Sequence, residues 1–532
     1  MEVTSSPVAA LPKRQVLIVF SGIMLGMLLA AIDQTIVATA LPTITGELGG
    51  LDHLAWVVTA YLLAQTVATP VYGKLGDLYG RKRLLQSAIG VFLVGSALSG
   101  VASSMGMLIA FRAVQGVGAG GLIVLALALI ADIVSPRERG RYQGYFGAVF
   151  GAASVAGPLL GGFLTDHLSW RWVFYVNLPL GVLALVVTSA TLPSTHLPRR
   201  VRIDWAGTIL LAGAISSLVL LTTWGGVEYA WGSGVIVALG TVTVALAAAF
   251  VAVERRVEEP AIPLRLFRLR TFNIAAGVSL IVGVAMYGAI TYLPTFLQVA
   301  NGASASNSGL LIVPVMIGLL GSSIIAGRII SRTGRYRRFP MIGMAVTSLG
   351  LFLLSTLDEG SSRWESGAHM FILGAGVGMV MQIMVLATQN EAPAADLGVA
   401  TSTITFFRTI GGSVGVSIFG ALFASRLTEL LGSRVPENMT PGAINQLPAD
   451  QKAQMASAFA DAITGVFLWA VPLVLLGWAL TWLLEEKPLR TSSGQVRRAQ
   501  ASAGGNGHQP APAEPQANGS HAPGSRPAAV VD

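Results

Sequence analysis

The sequence contains no cysteine among its 532 residues, which excludes disulfide bonds and thiolate metal sites. Its six histidines all fall in connections or in the C-terminal tail, where they form no metal-ligand cluster. A GxxxxGK[ST] nucleotide loop is also missing, and no polar segment is large enough to hydrolyse ATP. We therefore expect no cofactor, no enzymatic activity and no ATP-driven pump. Energy for any transport must come from an ion gradient or from the substrate itself.

Charge is scarce as well, at 11% of residues against about 25% in soluble domains, while 53% of residues are hydrophobic. Apolar runs of about 20 residues recur along the chain, each long enough to cross a bilayer as a helix. This composition predicts an all-α polytopic membrane protein with 14 transmembrane helices. The runs are 16–40, 54–72, 84–104, 107–130, 144–164, 173–192, 206–223, 235–253, 272–299, 310–330, 339–357, 370–388, 399–422 and 462–484.

The basic residues are distributed unevenly between the connections. Alternate connections and the two termini hold 27 of the 34 lysines and arginines, whereas the other connections hold five. This asymmetry follows the positive-inside rule and predicts that both termini are cytoplasmic, in agreement with an even number of spans. The net charge of +8 therefore reflects topology in the cytoplasmic membrane, and no nucleic-acid partner is expected.

A short glycine and arginine pattern occurs twice. GKLGDLYGRKR at 73–83 and GRIISRTGRYR at 327–337 are offset by 254 residues and each follows the second span of a group. The repeat indicates two parallel six-span halves with two helices inserted between them. We therefore predict a cytoplasmic N-terminus, an N-terminal bundle, a linker carrying the inserted helices, a C-terminal bundle with a long outer loop at 424–461, and a disordered cytoplasmic tail. Their bounds are 1–15, 16–192, 193–271, 272–484 and 485–532.

Ionisable residues inside the spans are few, and each is a candidate for function because burying a charge in hydrocarbon is costly. Asp33 is followed by Gln34 and Thr35 in span one, and its burial favours the protonated form of the carboxyl group. It is either a proton carrier or a permanently paired structural residue. Arg112 in span four is always charged, so it either holds a carboxylate or anchors packing. Arg408 in span thirteen leaves the same two alternatives open.

Two further constellations indicate movement. Asp77 lies beside Arg81 at the inner end of span two, and with Asp132 it predicts a network of charges made in one conformation and broken in another. GPLLGG at 157–162 in span five indicates a helix that bends or seals during transport, or simply one that packs closely.

These motifs together resemble the major facilitator superfamily, and the fourteen spans are similar to its drug:proton antiporter branch. The resemblance covers about residues 15–485 and includes RAVQGVGAGG in span four and WRWVFYVNLPLG at the entry to span six. It implies two six-helix bundles plus two inserted helices, with Asp33 as the acidic site and Arg112 in the proton relay. It also implies a conformational latch of Gly73, Asp77, Gly80, Arg81 and Lys82, to which the charge network adds Asp132. The antiporter signature is Gly157, Pro158 and Gly161. Ser331 stands where the second copy would repeat Asp77, so we expect an asymmetric latch.

The expected function is proton-coupled export of hydrophobic or cationic drugs by alternating access, by a monomer with protons, a small amphipathic molecule and the bilayer as partners. The alternatives are a facilitator or exporter of a lipid or other metabolite with the same fold, and a receptor or channel. Polar and aromatic residues inside the spans are the candidates for the substrate cavity: Gln34, Gln65, Gln115, Tyr287, Tyr292, Gln382, Phe406, Phe407 and Arg408.

Overall fold

The computed structural model describes residues 13–48, 54–192, 204–226, 228–257, 260, 262–299, 311–431 and 448–490. These residues form fifteen α-helices and two short 3-10 helices, Leu264–Arg268 and Ala394–Asp396. Helices α6 and α7 are one span interrupted at Val176. The helices are α1 (Lys13–Leu48), α2 (Leu54–Tyr79), α3 (Arg81–Gly100), α4 (Met105–Ile133), α5 (Pro136–His167), α6 (Trp172–Tyr175), α7 (Asn177–Thr191), α8 (Trp205–Trp224), α9 (Gly234–Glu254), α10 (Arg270–Val299), α11 (Val313–Thr333), α12 (Arg338–Leu354), α13 (Arg363–Glu391), α14 (Leu397–Leu431) and α15 (Ala449–Trp482).

Eleven of the fourteen span-like segments in this part of the chain are long and apolar enough to cross a membrane. The three others are α2, α5 and α12, of which α12 is apolar but has 17 residues. Between the described helices the one β feature is an isolated bridge from Gly225 to Tyr229. The predicted all-α polytopic fold is confirmed.

The helices pack as two bundles. In the first, α4 packs on α2 and α3 while α1 packs on α5 and α7; in the second, α13 packs on α11 and α12 while α10 packs on α14 and α15. The bundles meet along two seams, where α5 contacts α11 and α2 contacts α14. The sites described below lie on these seams and in the core of the first bundle.

The inserted pair sits beside the second seam. Helix α8 packs against α2 and α14, one from each bundle. Trp224 contacts Trp56 of α2 with ring centroids 5.4 Å apart, and the Thr222 hydroxyl lies 3.1 Å from the Ser413 hydroxyl of α14. By contrast, the surface of α9 is largely exposed, as expected for a helix that faces lipid.

Several helices extend beyond the apolar runs. The first residues of the predicted outer loop at 424–461 are the last turns of α14, and its final residues belong to α15. Residues 432–447 of that loop, residues 1–12 and the tail from 491 onward lie outside the described residues, as does the side chain of Pro158. Residues 485–490 follow the end of the second bundle, where Lys487 pairs with Glu391 at 2.6 Å.

Candidate functional site

Asp33 lies at the centre of a buried polar cluster in the first bundle. Its side chain is 0% exposed, and its Oδ2 accepts a hydrogen bond from Arg112 Nη1 at 2.7 Å. Its Oδ1 accepts from Gln115 Nε2 at 2.8 Å and from Asn177 Nδ2 at 2.9 Å. The carboxylate therefore has one cationic and two amide donors.

Arg112 is held by four groups besides Asp33. It donates to Gln115 Oε1 at 2.6 Å and to the Val57 carbonyl at 3.5 Å, and its guanidinium lies 4.1 Å above the ring of Tyr61. The ring of Phe174 is 5.8 Å away. The cluster thus joins α1, α2, α4 and the α6–α7 span through one ion pair.

The glycines of α4 allow this close arrangement. A Cβ at Gly116 would overlap the Tyr61 backbone of α2, and one at Gly118 would lie 2.5 Å from the Phe92 nitrogen of α3. Small residues at these positions let the neighbouring backbones approach. As a result Arg112 and Gln115, one turn apart on α4, both reach the carboxylate on α1.

Two members of the cluster were not predicted. Asn177 Nδ2 also donates to the Ser96 hydroxyl at 3.0 Å, and Ser96 Oγ donates to the Phe174 carbonyl at 2.8 Å. Asn177 is the one amide in WRWVFYVNLPLG, a motif that contributes to the family resemblance alone. A polar residue at the start of an apolar run was the available signal, whereas Ser96 is an ordinary serine in α3 with no such signal.

Asp77, Arg81 and Asp132 form a second cluster, at the end of the bundles where the α2–α3, α4–α5 and α11–α12 connections meet. We call this end the basic end. Arg81 Nη2 donates to Asp77 Oδ1 at 2.5 Å, and its Nη1 lies 2.9 Å from Asp132 Oδ1. Nη1 also donates to the Ala128 carbonyl. Gly80 precedes Arg81 with φ of 92°, a left-handed conformation that suits glycine, and so turns α2 directly into α3.

Asp77 also reaches into the second bundle. Its Oδ2 accepts from the backbone nitrogens of Gly398 at 2.8 Å and Val399 at 3.2 Å, which are free donors at the start of α14. A carboxylate at a helix N-terminus is stabilised by those donors and by the helix dipole. Close contact is possible because a Cβ at Gly73 would overlap Ser402, and one at Gly398 would lie 2.5 Å from the Gly73 carbonyl. The basic end is therefore closed along the α2–α14 seam.

The other seam is held differently. Ser331 occupies the position equivalent to Asp77, and its carbonyl accepts from Arg137 Nε of α5 at 3.3 Å. Arg137 Nη2 donates to the Arg332 carbonyl at 3.2 Å. Here a cation at the start of α5 meets the carbonyl end of α11, so the charge arrangement of the first seam is reversed.

A fully buried arginine, not predicted from the sequence, crosses the same end. Arg139 donates to the Val134 carbonyl at 3.0 Å, to the Ala131 carbonyl, and to Gln389 Oε1 of α13 at 3.2 Å. Lys82, in contrast, stays within the first bundle, where its Nζ donates to the Ser189 and Leu192 carbonyls at the end of α7. Neither of these bonds reaches the second bundle.

The glycine motif of α5 lies against the helix that carries Asp33. A Cβ at Gly157 would overlap the Thr35 hydroxyl, and that hydroxyl donates to the Ala153 carbonyl at 2.9 Å. Gly161 is buried as well. Displacement of α5 along α1 would therefore change the contacts of Thr35, which is two residues from Asp33.

The predicted cavity residues do not form one group. Gln115 belongs to the Asp33 cluster, and the ring of Tyr292 packs among Phe419 and Phe423 with centroids 6.4 and 5.7 Å away. Phe406 and Phe407 contact each other at 5.8 Å. Gln34 and Tyr287 are half-buried, and the Oε1 atoms of Gln65 and Gln382 are buried without a partner in the described structure. The substrate cavity stays a prediction.

Comparison with known proteins agrees with this fold. The family model described as Major Facilitator Superfamily matches residues 23–416. The uncharacterized MFS-type transporter Rv1877 of Mycobacterium tuberculosis (strain ATCC 25618 / H37Rv) is 45% identical over 479 residues, covering 89% of this chain and 70% of that protein. The multidrug transporter protein MdtP of Bacillus subtilis (strain 168) is 38% identical over 454 residues, covering 85% of this chain and 82% of that protein.

Among solved structures, the proton:xylose symporter XylE is similar in fold, with a TM-score of 0.63 at 14% identity. The alignment covers 92% of this chain and 99% of that one. The family match spans most of the described helices, and the relatives are similar over most of the chain. The chain therefore belongs to the major facilitator superfamily and is a multi-pass membrane transporter.

Proposed function

We propose that the protein exports amphipathic organic molecules across the cytoplasmic membrane in exchange for protons, by alternating access, with the basic end and both termini in the cytoplasm. The observation that carries the proposal is the Asp33 carboxylate, fully buried and paired with Arg112 at 2.7 Å. A carboxyl group kept inside the membrane span is costly and marks an ion pathway more often than a structural contact. The multidrug transporter MdtP, similar over 85% of the chain, supports export of drug-like molecules.

Protonation of Asp33 would change the contacts of four helices at once. The neutral carboxyl group no longer balances the charge of Arg112, which then depends on the Gln115 and Val57 oxygens and on the rings beside it. Asp33 lies two residues from Thr35, and Thr35 bonds to α5 on the α5–α11 seam. A proton on Asp33 would in this way bias how the two bundles meet.

The closed basic end fits one state of such a cycle. Asp77 caps α14 and Arg137 caps α11, so the end that we assign to the cytoplasm is shut in this conformation. Protons would enter Asp33 from the opposite end and leave after the basic end opens. One proton moved through about 180 mV yields about 4 kcal/mol, enough for a substrate gradient approaching a thousandfold.

The test is substrate-dependent proton movement in liposomes that contain the purified full-length protein and a pH dye in the lumen. Native protein should move protons when an amphipathic dye, cationic ethidium or anionic fluorescein, is added, and Asp33→Asn should abolish that flux. Asp358→Asn, which removes an exposed carboxylate from the α12–α13 connection, is the matched control and should behave as native.

Substrate movement that is unaffected by collapse of the pH gradient and by Asp33→Asn would refute proton coupling. Such a result would favour the facilitator alternative, in which Asp33 is a structural partner of Arg112.

A further inference from the structure

The four buried arginines of the described structure differ in how their charges are satisfied. Arg81 has two aspartates, Arg112 has Asp33, and Arg139 has two carbonyls and Gln389 Oε1. Arg408 is 7% exposed, yet its guanidinium makes no hydrogen bond or ion pair with any described residue. A buried cation with neither a counter-charge nor a hydrogen-bond acceptor is strongly unfavourable, and the other three arginines each have at least one of these.

The sequence around Arg408 holds no acid to supply that partner. Helix α10, which packs against α14 here, has no acidic residue, and α14 has none before Glu429. Asp396 lies just before α14 but is already bound by Arg265 through two bonds of 2.9 Å. Asp33 in the other bundle is fully buried and bound to Arg112.

Arg408 lies deep in the membrane span. It is eleven residues from the start of α14, or about 16 Å at 1.5 Å per residue, which is near the middle of a core about 30 Å thick. Its backbone is fixed against α10, because a Cβ at Gly283 would overlap the Arg408 carbonyl. At this depth an arginine faces an internal space rather than lipid.

The surroundings of Arg408 are those of an amphipathic site. Its guanidinium nitrogens make no hydrogen bond in the described structure and are not fully enclosed. The small exposed part of the side chain therefore includes the charge. Tyr287 of α10 is close enough to interact with it electrostatically, whereas Phe406 and Phe407, the two preceding residues of α14, lie on other faces of the helix. One free cation near a tyrosine in the apolar interior of the second bundle matches a ligand with an acidic group and an apolar body.

We propose that Arg408 binds the carboxylate or other acidic group of the transported molecule, so that the substrate class is amphipathic organic anions. The inference rests on the proposed export function and names its substrate. The sequence predicts hydrophobic or cationic drugs. The inference differs from the cationic alternative, because Asp33, on which that alternative depends, is enclosed by Arg112, Gln115 and Asn177.

The experiment compares two dyes built on the same ring system, anionic fluorescein and cationic rhodamine 123, by fluorescence anisotropy with the purified full-length protein in detergent at pH 8. Fluorescein should bind saturably to the native protein. Arg408→Gln should weaken fluorescein binding at least tenfold and change rhodamine 123 binding less than threefold, while Arg408→Lys should retain most of the fluorescein affinity.

Three results would overturn the assignment: no saturable fluorescein binding to native protein, unchanged fluorescein affinity in Arg408→Gln, or equal loss of both dyes. Displacement of fluorescein by phosphatidylglycerol in mixed micelles would assign the site to a lipid headgroup and would contradict a soluble substrate. Binding requires neither a proton gradient nor transport. The outcome is therefore independent of the Asp33→Asn flux experiment, and either proposal can fail alone.

Discussion

The side-chain amide of Asn177 connects three spans at the level of Asp33. It donates to the carboxylate at 2.9 Å and to Ser96 at 3.0 Å, and it is 0% exposed. Asp33 keeps two other donors, so the role of Asn177 is to position the carboxylate and not to neutralise it. Arg112 alone supplies the charge.

Substitution of Asn177 by leucine keeps the size of the side chain and removes both bonds. Because a buried polar group left without its partner costs about 1–3 kcal/mol, we expect Asn177→Leu to lower the Tm in detergent and to reduce, but not abolish, proton flux. Asn273→Leu is the matched control, since Asn273 is exposed and donates to the Phe267 carbonyl near the basic end. Equal Tm changes in the two variants would show that the hydrogen bonds of Asn177 add nothing to the stability of the folded protein.

At the scale of elements, α1 is anchored near one end and at its middle. Beyond the apolar part of α1, which ends at Val37, Glu47 accepts hydrogen bonds from Arg171 at 2.6 Å and Trp170 at 2.7 Å. The guanidinium of Arg171 also stacks 4.3 Å from the Trp170 ring. The first two residues of the span-six motif therefore fix the end of α1 opposite the basic end, and Asn177 fixes its middle.

The contacts of Glu47 make the stability of this anchor depend on pH. The Arg171 hydrogen bond, followed by the Trp170 bond, lowers the pKa of Glu47 from its ordinary value of 4.5. A lowered pKa stabilises the folded protein above the ordinary value, and the contribution is lost as the pH falls through the lowered one. The difference in Tm between native protein and Glu47→Gln should be present at pH 7 and shrink towards pH 3.5.

Thermal unfolding across this pH range is the measurement for the Glu47 anchor. Glu359→Gln removes an exposed carboxylate from the α12–α13 connection and is the control. A Tm difference for Glu47→Gln that does not vary with pH would mean that the size of the side chain, and not its charge, matters.

Some residues of the site could be predicted from the sequence and others could not, for a physical reason. Asp33 and Arg112 stood out because charges inside apolar runs are rare, and Gln115 lies one helical turn from Arg112. Gly398 and Arg139 act through contacts between bundles that are far apart in sequence, and neither residue is unusual in its own segment. The helices themselves were predictable from hydropathy, whereas the ends of α1, α5 and α14 extend past the apolar runs into polar sequence.

For the whole molecule, the sequence repeat predicted two bundles, and the structure adds that their seams at the basic end are closed by opposite charges. On one seam an acid caps the start of α14; on the other, Arg137 caps the end of α11. Ser331 cannot repeat the role of Asp77, and its hydroxyl is buried without a partner in the described structure. Closure should therefore depend more on Asp77 than on its counterpart.

Closure of the basic end can be measured with spin labels at two introduced cysteines, because the sequence contains no cysteine of its own. Arg83→Cys and Arg335→Cys replace exposed residues on different bundles at the basic end. Loss of a capping side chain costs about 0.5–2 kcal/mol, and Asp77→Ala also removes one partner of Arg81. In Asp77→Ala we expect the ratio of molecules with a long distance between the two labels to molecules with a short distance to rise about tenfold, equivalent to about 1.4 kcal/mol. Ser331→Ala, the equivalent change in the second bundle, should shift the ratio less than twofold. Equal shifts in both variants would mean that the cap on α14 does not hold the basic end closed, and that packing at Gly73 and Gly398 does.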